Sequence, residues 1–248
     1  MNDSSSLSLV GLRALVTGGA TRIGREISLG LARSGCDIIV HYAENEAGAG
    51  VVADEIRSLG RKAIPVQANF IDPRAPTKLA HAALSTGEVD ILINNASIYP
   101  DADSLLSNHS IEHETLEDWE RSMAINARAP FFLMQALAPS LIASRNGNVV
   151  NLLDRSISDL FIDRAAHSAS KATLAAVTLI AAKTWKSSVR VNGIELGWIL
   201  PGDNMPEEAR QQIVWAGPAQ VVETILFILT TPFIRGEVIG LRNGSHLT

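Results

Sequence analysis

The sequence predicts an α/β fold, a doubly wound seven-stranded parallel sheet flanked by helices. Two observations carry this. Short β-branched runs alternate with longer stretches of helical spacing from about residue 12 to the C-terminus. Each run is apolar along its whole length, as a strand covered on both faces must be. No linker or repeat interrupts the alternation, so residues 1–248 read as a single domain, with Met1–Ser8 expected to lie outside its ordered part.

The first strand is read at Arg13–Thr17. After it, Ile23, Ile27 and Leu31 fall at i, i+4 and i+8 and Gly35 follows, the pattern of one amphipathic helix with a glycine stop. Further strands are expected at Asp37–His41, Lys62–Ala68 and Asp90–Asn94. The segment Glu114–Ser144 is a long helical pattern containing Pro130, where a missing N–H predicts a kink or break. A strand at Asn148–Leu153 precedes Ala166–Trp185, a helix rich in Ala, Ser and Thr that reads as packed on more than one side, against the sheet and a second subunit. Val189–Gly193 and Val238–Leu241 complete the seven.

Composition limits the function classes. With 46% hydrophobic and 19% charged residues the chain is too apolar to be disordered, and a net charge of −5 offers no basic field for nucleic acid. The single cysteine, Cys36, excludes an internal disulfide and fits a reducing compartment; it reads as a buried structural thiol. No basic n-region with an apolar block opens the chain, and no apolar run has membrane-span length, so a cytoplasmic protein without a membrane partner is expected.

Chemistry first shows in the turn Thr17-Gly18-Gly19-Ala20-Thr21-Arg22-Ile23-Gly24. Small residues stand where a backbone must turn sharply, and the amides opening the next helix would face a pyrophosphate. A cation in a first helical turn is opposed by the macrodipole, so Arg22 reads either as a ligand contact or as a solvated side chain turned away.

This turn resembles that of the short-chain dehydrogenase/reductase family, T-G-x-x-x-G-x-G, with Arg22 in place of the middle glycine, as in the pteridine reductase branch, bacterial dihydromonapterin reductases included. Further matches are His41-Tyr42, Asn94-Asn95-Ala96-Ser97, Asn126, Asp154, Arg190-Val191-Asn192-Gly193 and Asn204-Met205-Pro206. The resemblance covers nearly the whole chain and implies a Rossmann-type fold, a dinucleotide cofactor and a homotetramer. It places the cofactor against Thr17, Gly18, Thr21, Arg22, Ile23, Gly24, His41, Tyr42, Ala43, Asn69, Phe70, Asn95, Ala96, Ser97, Lys171, Gly197 and Ile199, with Asn69-Phe70 bordering the adenine. NAD-selective members carry a carboxylate at the tip of the second strand; His41-Tyr42-Ala43 has none, and Arg22 with His41 could face an anion, so NADP(H) is expected. Glu44, where the branch tends to offer a basic or hydrogen-bonding group, reads as a solvated loop charge or a counter-signal.

Family members use a tyrosine four residues before a lysine on one helix face. Here His167 and Lys171 hold that spacing, and the family serine after the fifth strand is Asp154, as in pteridine reductases. The catalytic set is therefore expected to be His167, Lys171, Asp154 and Asn126. Imidazole titrates near 6.5 against about 10 for phenol, and the opposing charges of Lys171 and Asp154 leave His167 a feasible general acid at neutral pH. The expected activity is NADPH-dependent reduction of a small cyclic C=N or C=O compound. Two alternatives stay open: a non-redox lyase or cyclase on the same fold, and a catalytically silent NADP(H)-binding protein.

On the substrate side the expected residues are Arg22, Ser97, Tyr99, Trp198 and Met205. Tyr99 reads as a stacker for a flat ring or an ordinary rim aromatic, and Trp198 as pocket wall or core. Asp101–His113 reads as a lid or a mobile loop. Glu195-Leu196-Gly197 departs from the family's Pro-Gly and would set a carboxylate near the pocket. His109 and His113 are spaced i, i+4 without a third ligand pattern, so no metal is expected.

Overall fold

The computed structural model describes residues 8–99, 111–161, 164–202 and 205–243. Seven parallel strands, β1 (Arg13–Val16), β2 (Asp37–Tyr42), β3 (Ala63–Gln67), β4 (Ile91–Asn94), β5 (Asn148–Asp154), β6 (Arg190–Leu196) and β7 (Val238–Leu241), form one sheet in the order β3-β2-β1-β4-β5-β6-β7. The order reverses between β1 and β4, where such sheets open a crevice beyond the carboxyl ends of the strands. Every expected strand is present, with ends shifted by up to three residues. Of the eight N-terminal residues expected outside the fold, only Ser8 is described.

Strand periodicity divides the core in two. Ala14 and Val16 enter one apolar cluster and Leu15 the other, because successive side chains leave opposite faces. The first face is covered by α1 (Arg22–Arg33), α2 (Glu46–Ser58) and α9 (Pro218–Thr230). The second is covered by α3 (Ala75–Leu84), α5 (Ala129–Ala143) and α7 (Ala165–Trp185). Short helices α6 (Ser156–Asp159) and α8 (Glu207–Gln211) lie in the loops after β5 and β6. Gly35, past the end of α1, adopts φ +98° and its N–H bonds Ala32 O, the glycine stop the spacing predicts. Cys36 is fully buried, and burial, with Asp90 and Asp37, pushes its thiol up to about 12, an inert structural group.

The break expected at Pro130 takes a particular form. Helix α4 (Leu116–Met123) runs into a π-helical turn, Ala124–Arg128, before α5 begins with Pro130 in its first turn. A wider turn here suits a proline that cannot donate to the preceding turn. It also carries Asn126, fully buried, toward the end of β4.

Candidate active site

The turn after β1 is closed by contacts that leave no room for side chains. A Cβ on Gly24 would stand 2.0 Å from Gly18 O, and Gly18 itself adopts φ +62°. Thr17 Oγ1 accepts from the N–H groups of Asn95 and Ala96, at 2.9 and 3.0 Å, and Asn95 Nδ2 donates back to Thr17 O at 2.8 Å. These bonds pin the end of β1 to the end of β4 with the first turn of α1 beside them. Thr21 and Arg22 are exposed there, Ile23 is half-buried, and Ala96 and Ser97 lie along the same rim.

Three expected contacts are corrected. His41 does not face the crevice; it is buried, Nδ1 accepts from Gly18 N–H and Nε2 donates to Ala68 O, both at 2.9 Å. Burial lowers its pKa to about 4, so it is neutral at pH 7 and contributes no charge for a phosphate. Phe70, expected beside the adenine, is buried with its ring stacked on His41 at 4.5 Å, and Asn69 Oδ1 caps Ile71 N–H. Glu195, expected as a carboxylate open to the pocket, is buried and ion-paired, 3.4 Å from Arg242 Nη1. The rim at Tyr42, Ala43 and Glu44 is half-buried to exposed, with no carboxylate before Glu44.

Arg22 holds φ +50°, a left-handed backbone that glycine adopts more readily than any other residue, and its Nη2 donates to Pro201 O at 2.9 Å. It thereby ties the phosphate-type turn to the segment after β6. That segment holds Gly197, whose N–H bonds Leu241 O, and Ile199, which is buried and accepts from Gly217 N–H. Trp198 is half-buried, meets Trp215 edge-on at 5.6 Å and lies under Arg155 at 4.5 Å. Met205 is half-buried at its far end; Asn204 lies outside the described residues.

The four expected catalytic residues do come together. Helical spacing sets His167 and Lys171 on one face of α7, and Asp154 ends β5 opposite them. His167 Nε2 stands 3.8 Å from Asp154 Oδ1, and Nδ1 bonds Ile98 O at 3.1 Å. The ring is buried, Nε2 has no hydrogen-bond partner, and Tyr99 meets it edge-on at 4.8 Å. Tyr99 is itself exposed and accepts from Arg164 Nη1 at 2.8 Å. Burial, the largest influence on Asp154, works to raise its carboxyl, but His167, the Ser156 N–H and Lys171 outweigh it and hold the group below the ordinary carboxylate value. Lys171 Nζ donates to Leu152 O at 2.9 Å, and burial, opposed by Asp154, lowers it to about 8.

Sequence reasoning missed the Ile98 carbonyl, Arg164 and Arg155. A backbone acceptor has no sequence signal, and the two arginines stand near Asp154 and His167 in the chain without a motif of their own. His109 lies outside the described residues, as does most of the expected lid; among the described residues no group of three or more His, Cys, Asp or Glu could hold a metal ion.

Comparison with known proteins places this geometry. The family model described as short chain dehydrogenase matches residues 13–212. The short-chain dehydrogenase/reductase FrzI of Cladobotryum sp. is 38% identical over 173 residues, covering 69% of this chain and 63% of FrzI. A 3-oxoacyl-[acyl-carrier-protein] reductase of Synechocystis sp. is 30% identical over 244 residues, 93% of this chain and 95% of the relative. Among solved structures, a short chain dehydrogenase from Burkholderia cenocepacia in complex with NADP superposes with a TM-score of 0.87 at 27% identity, covering 97% of this chain and all of the other.

Proposed function

The chain belongs to the short-chain dehydrogenase family of NAD(P)-dependent oxidoreductases, and we propose that it is an NADP(H)-dependent reductase of a small cyclic C=N or C=O compound in which His167 serves as proton donor. The observation that carries this is the pair formed by buried His167 and half-buried Asp154, whose Nε2 and Oδ1 stand 3.8 Å apart with Lys171 on the next turn. Arg22 and Asp154, which depart from the commoner family residues, support likeness to the pteridine reductase branch.

The residues fit a dinucleotide. Thr17, Gly18, Thr21, Ile23 and Gly24 would receive the pyrophosphate where no Cβ can intrude; Asn95, Ala96 and Ser97 would flank it; Gly197 and Ile199 would back the far end. Lys171 would hold a ribose hydroxyl. The bound cofactor supplies hydride. A relative solved with NADP, and the absence of a carboxylate at residues 41–43, support NADP(H).

The chain's own part is protonation. His167 gives its proton at Nε2 to the atom that gains charge, and the Asp154 carboxylate stabilises the imidazolium before transfer. Because Asp154 is held ionised and can only accept hydrogen bonds, a substrate N–H is favoured beside it over a bare carbonyl oxygen, which makes C=N the better reading of the two. Tyr99, Trp198, Ser97, Met205 and Arg22 would form the substrate side.

Phe131 on α5 and Ile180 on α7 are exposed apolar side chains, and Phe131 lines a groove of about 410 Å³ with Met123, Ala127 and Val177, edged by Glu120 and Arg128. A second copy of the chain suits such a face, and we place a homotetramer here. Among the described residues no helix is long and apolar enough to cross a membrane, and the single thiol supports a cytoplasmic placement.

One observation favours a second reading, a silent nucleotide-binding protein: the His167 ring is 1% exposed beneath Tyr99. The test is purified protein with NADPH and a panel of cyclic imines, pteridines and cyclic ketones. Oxidation of the nucleotide that His167→Ala abolishes, with NADPH binding retained, is the expected result. Equal rates in both proteins sink the proton-donor role, and binding without turnover on any substrate selects the silent reading.

A further inference from the structure

The polarity of the bonds around His167 is forced by main-chain atoms. Ile98 N–H donates to Asn126 Oδ1 at 2.9 Å, so Oδ1 faces the main-chain amide of Ile98 and Nδ2 the main-chain carbonyl of the same residue, which it meets at 3.1 Å. Ser170 gives its one hydroxyl proton to His167 O at 2.7 Å and therefore accepts from Asn126 Nδ2 at 3.0 Å. Ser97 Oγ has two acceptors in reach, Asn126 Oδ1 at 3.1 Å and Ile98 O at 3.4 Å, and the shorter contact takes its one proton. Both amide protons and both lone pairs of Asn126 are thus used. The residue is fully buried and has nothing left with which to touch a substrate.

Ile98 O, held in this way by Asn126, also meets His167 Nδ1 at 3.1 Å. A carbonyl oxygen can only accept, so Nδ1 must carry a proton. The groups that face the ring from its other sides are Asp154 from the end of β5, Lys171 from the next turn of α7, and Tyr99 with Arg164 across its edge. None of these bonds Nε2, which is buried without a hydrogen-bond partner.

We infer that Asn126, acting through the peptide of Ile98, is a positioning residue that fixes His167 as the Nδ1–H tautomer and leaves Nε2 as the atom that exchanges a proton. Its catalytic consequence rests on the reductase reading proposed above; the tautomer itself does not. Without the Asn126 clamp the peptide unit that carries Ile98 O can turn, the imidazole can take either tautomer, and part of the population presents the wrong nitrogen to Asp154 and the substrate.

The test is nitrogen NMR on protein labelled with [15N]histidine, the His167 signals being assigned by their loss in His167→Asn. In the wild type the expected pattern at high pH is a protonated Nδ1 and a bare Nε2, with Nε2 alone gaining a proton on acidification. Asn126→Ala is expected to give a mixture of tautomers and to lower kcat about tenfold or more, with the KM for NADPH held within about twofold. A wild-type ring protonated at Nε2 with Nδ1 bare overturns the inference, and needs no variant to fold. So does an Asn126→Ala protein whose tautomer and kcat are both unchanged. If the wild-type tautomer is as expected and the variant mixes it, yet no substrate oxidises NADPH, the positioning stands and the reductase reading falls.

Discussion

The amide of Gly18 donates to Nδ1 of His41 at 2.9 Å, so the first glycine of the turn after β1 is held from inside the protein by the penultimate residue of β2. The other ring nitrogen reaches Ala68 O, and the imidazole joins three strand ends. Its folded pKa, about 4, lies below the 6.5 of an exposed histidine. The unfolded chain therefore binds the extra proton first, and stability is full above about pH 6.5 and lost as pH falls toward 4. We expect chemical denaturation to show a loss of roughly 3 kcal/mol across that window. A His41→Gln protein should lack this slope and keep its NADPH-over-NADH preference within about twofold, since a neutral ring never contacted the phosphate. A large drop in that preference refutes the assignment.

Arg22 sits at φ +50°, in the left-handed region that favours glycine. Left-handed backbone costs a side-chain-bearing residue about 1 kcal/mol, which Arg22→Gly removes. The same change deletes the bond to Pro201 O. The expected outcome is an apo protein more resistant to urea by about 1 kcal/mol, or unchanged where the lost bond offsets the gain, with a substrate KM raised several-fold. Unaltered substrate kinetics would show that the tie to the segment after β6 has no part in binding.

Lys171 is held at about 8 against its ordinary 10.5, mainly by burial. Its ammonium form is favoured more in the unfolded chain, so stability falls as pH drops from about 10.5 through 8 and stays lower below that. At pH 7 the fold therefore carries a penalty of order 3 kcal/mol, and Lys171→Met should recover about 1–2 kcal/mol after losing the bond to Leu152 O. Turnover should be abolished in the same protein. Denaturation at pH 7 and pH 10 separates the two contributions: the gain should shrink at the higher pH.

Ile180 is 61% exposed on α7 and Phe131 42% exposed on α5. If these faces pair with further copies, Ile180→Asp and Phe131→Asp should each shift the mass measured by light scattering from tetramer to smaller species. A tetramer that survives both substitutions places the interface elsewhere.

Much of the fold was legible because apolar runs covered on both faces are unmistakable: all seven strands appear, and Gly35 stops α1 as its position implies. His167 and Lys171 were legible for a local reason, four residues on one helix being one turn apart. Pro130 marked a break, but not its form, a π-helical turn that sets Asn126 against Ile98, because that contact joins residues 28 positions apart and has no signal in the helical spacing. His41 was misplaced for a related reason. Its residue type suits an anion site, and only the spatial neighbours Gly18 and Ala68, 23 and 27 residues away in sequence, show that both nitrogens are already engaged. The tie between Arg22 and Pro201 spans 179 residues and has no local trace at all.

The acceptor that selects the histidine tautomer is a main-chain oxygen. Substitution of Ile98 by another residue leaves its carbonyl in place, so that half of the arrangement is immune to point mutation. An imidazole at position 167 meets the same oxygen whichever side chain stands at 98, so the ring's orientation is written into the course of the backbone.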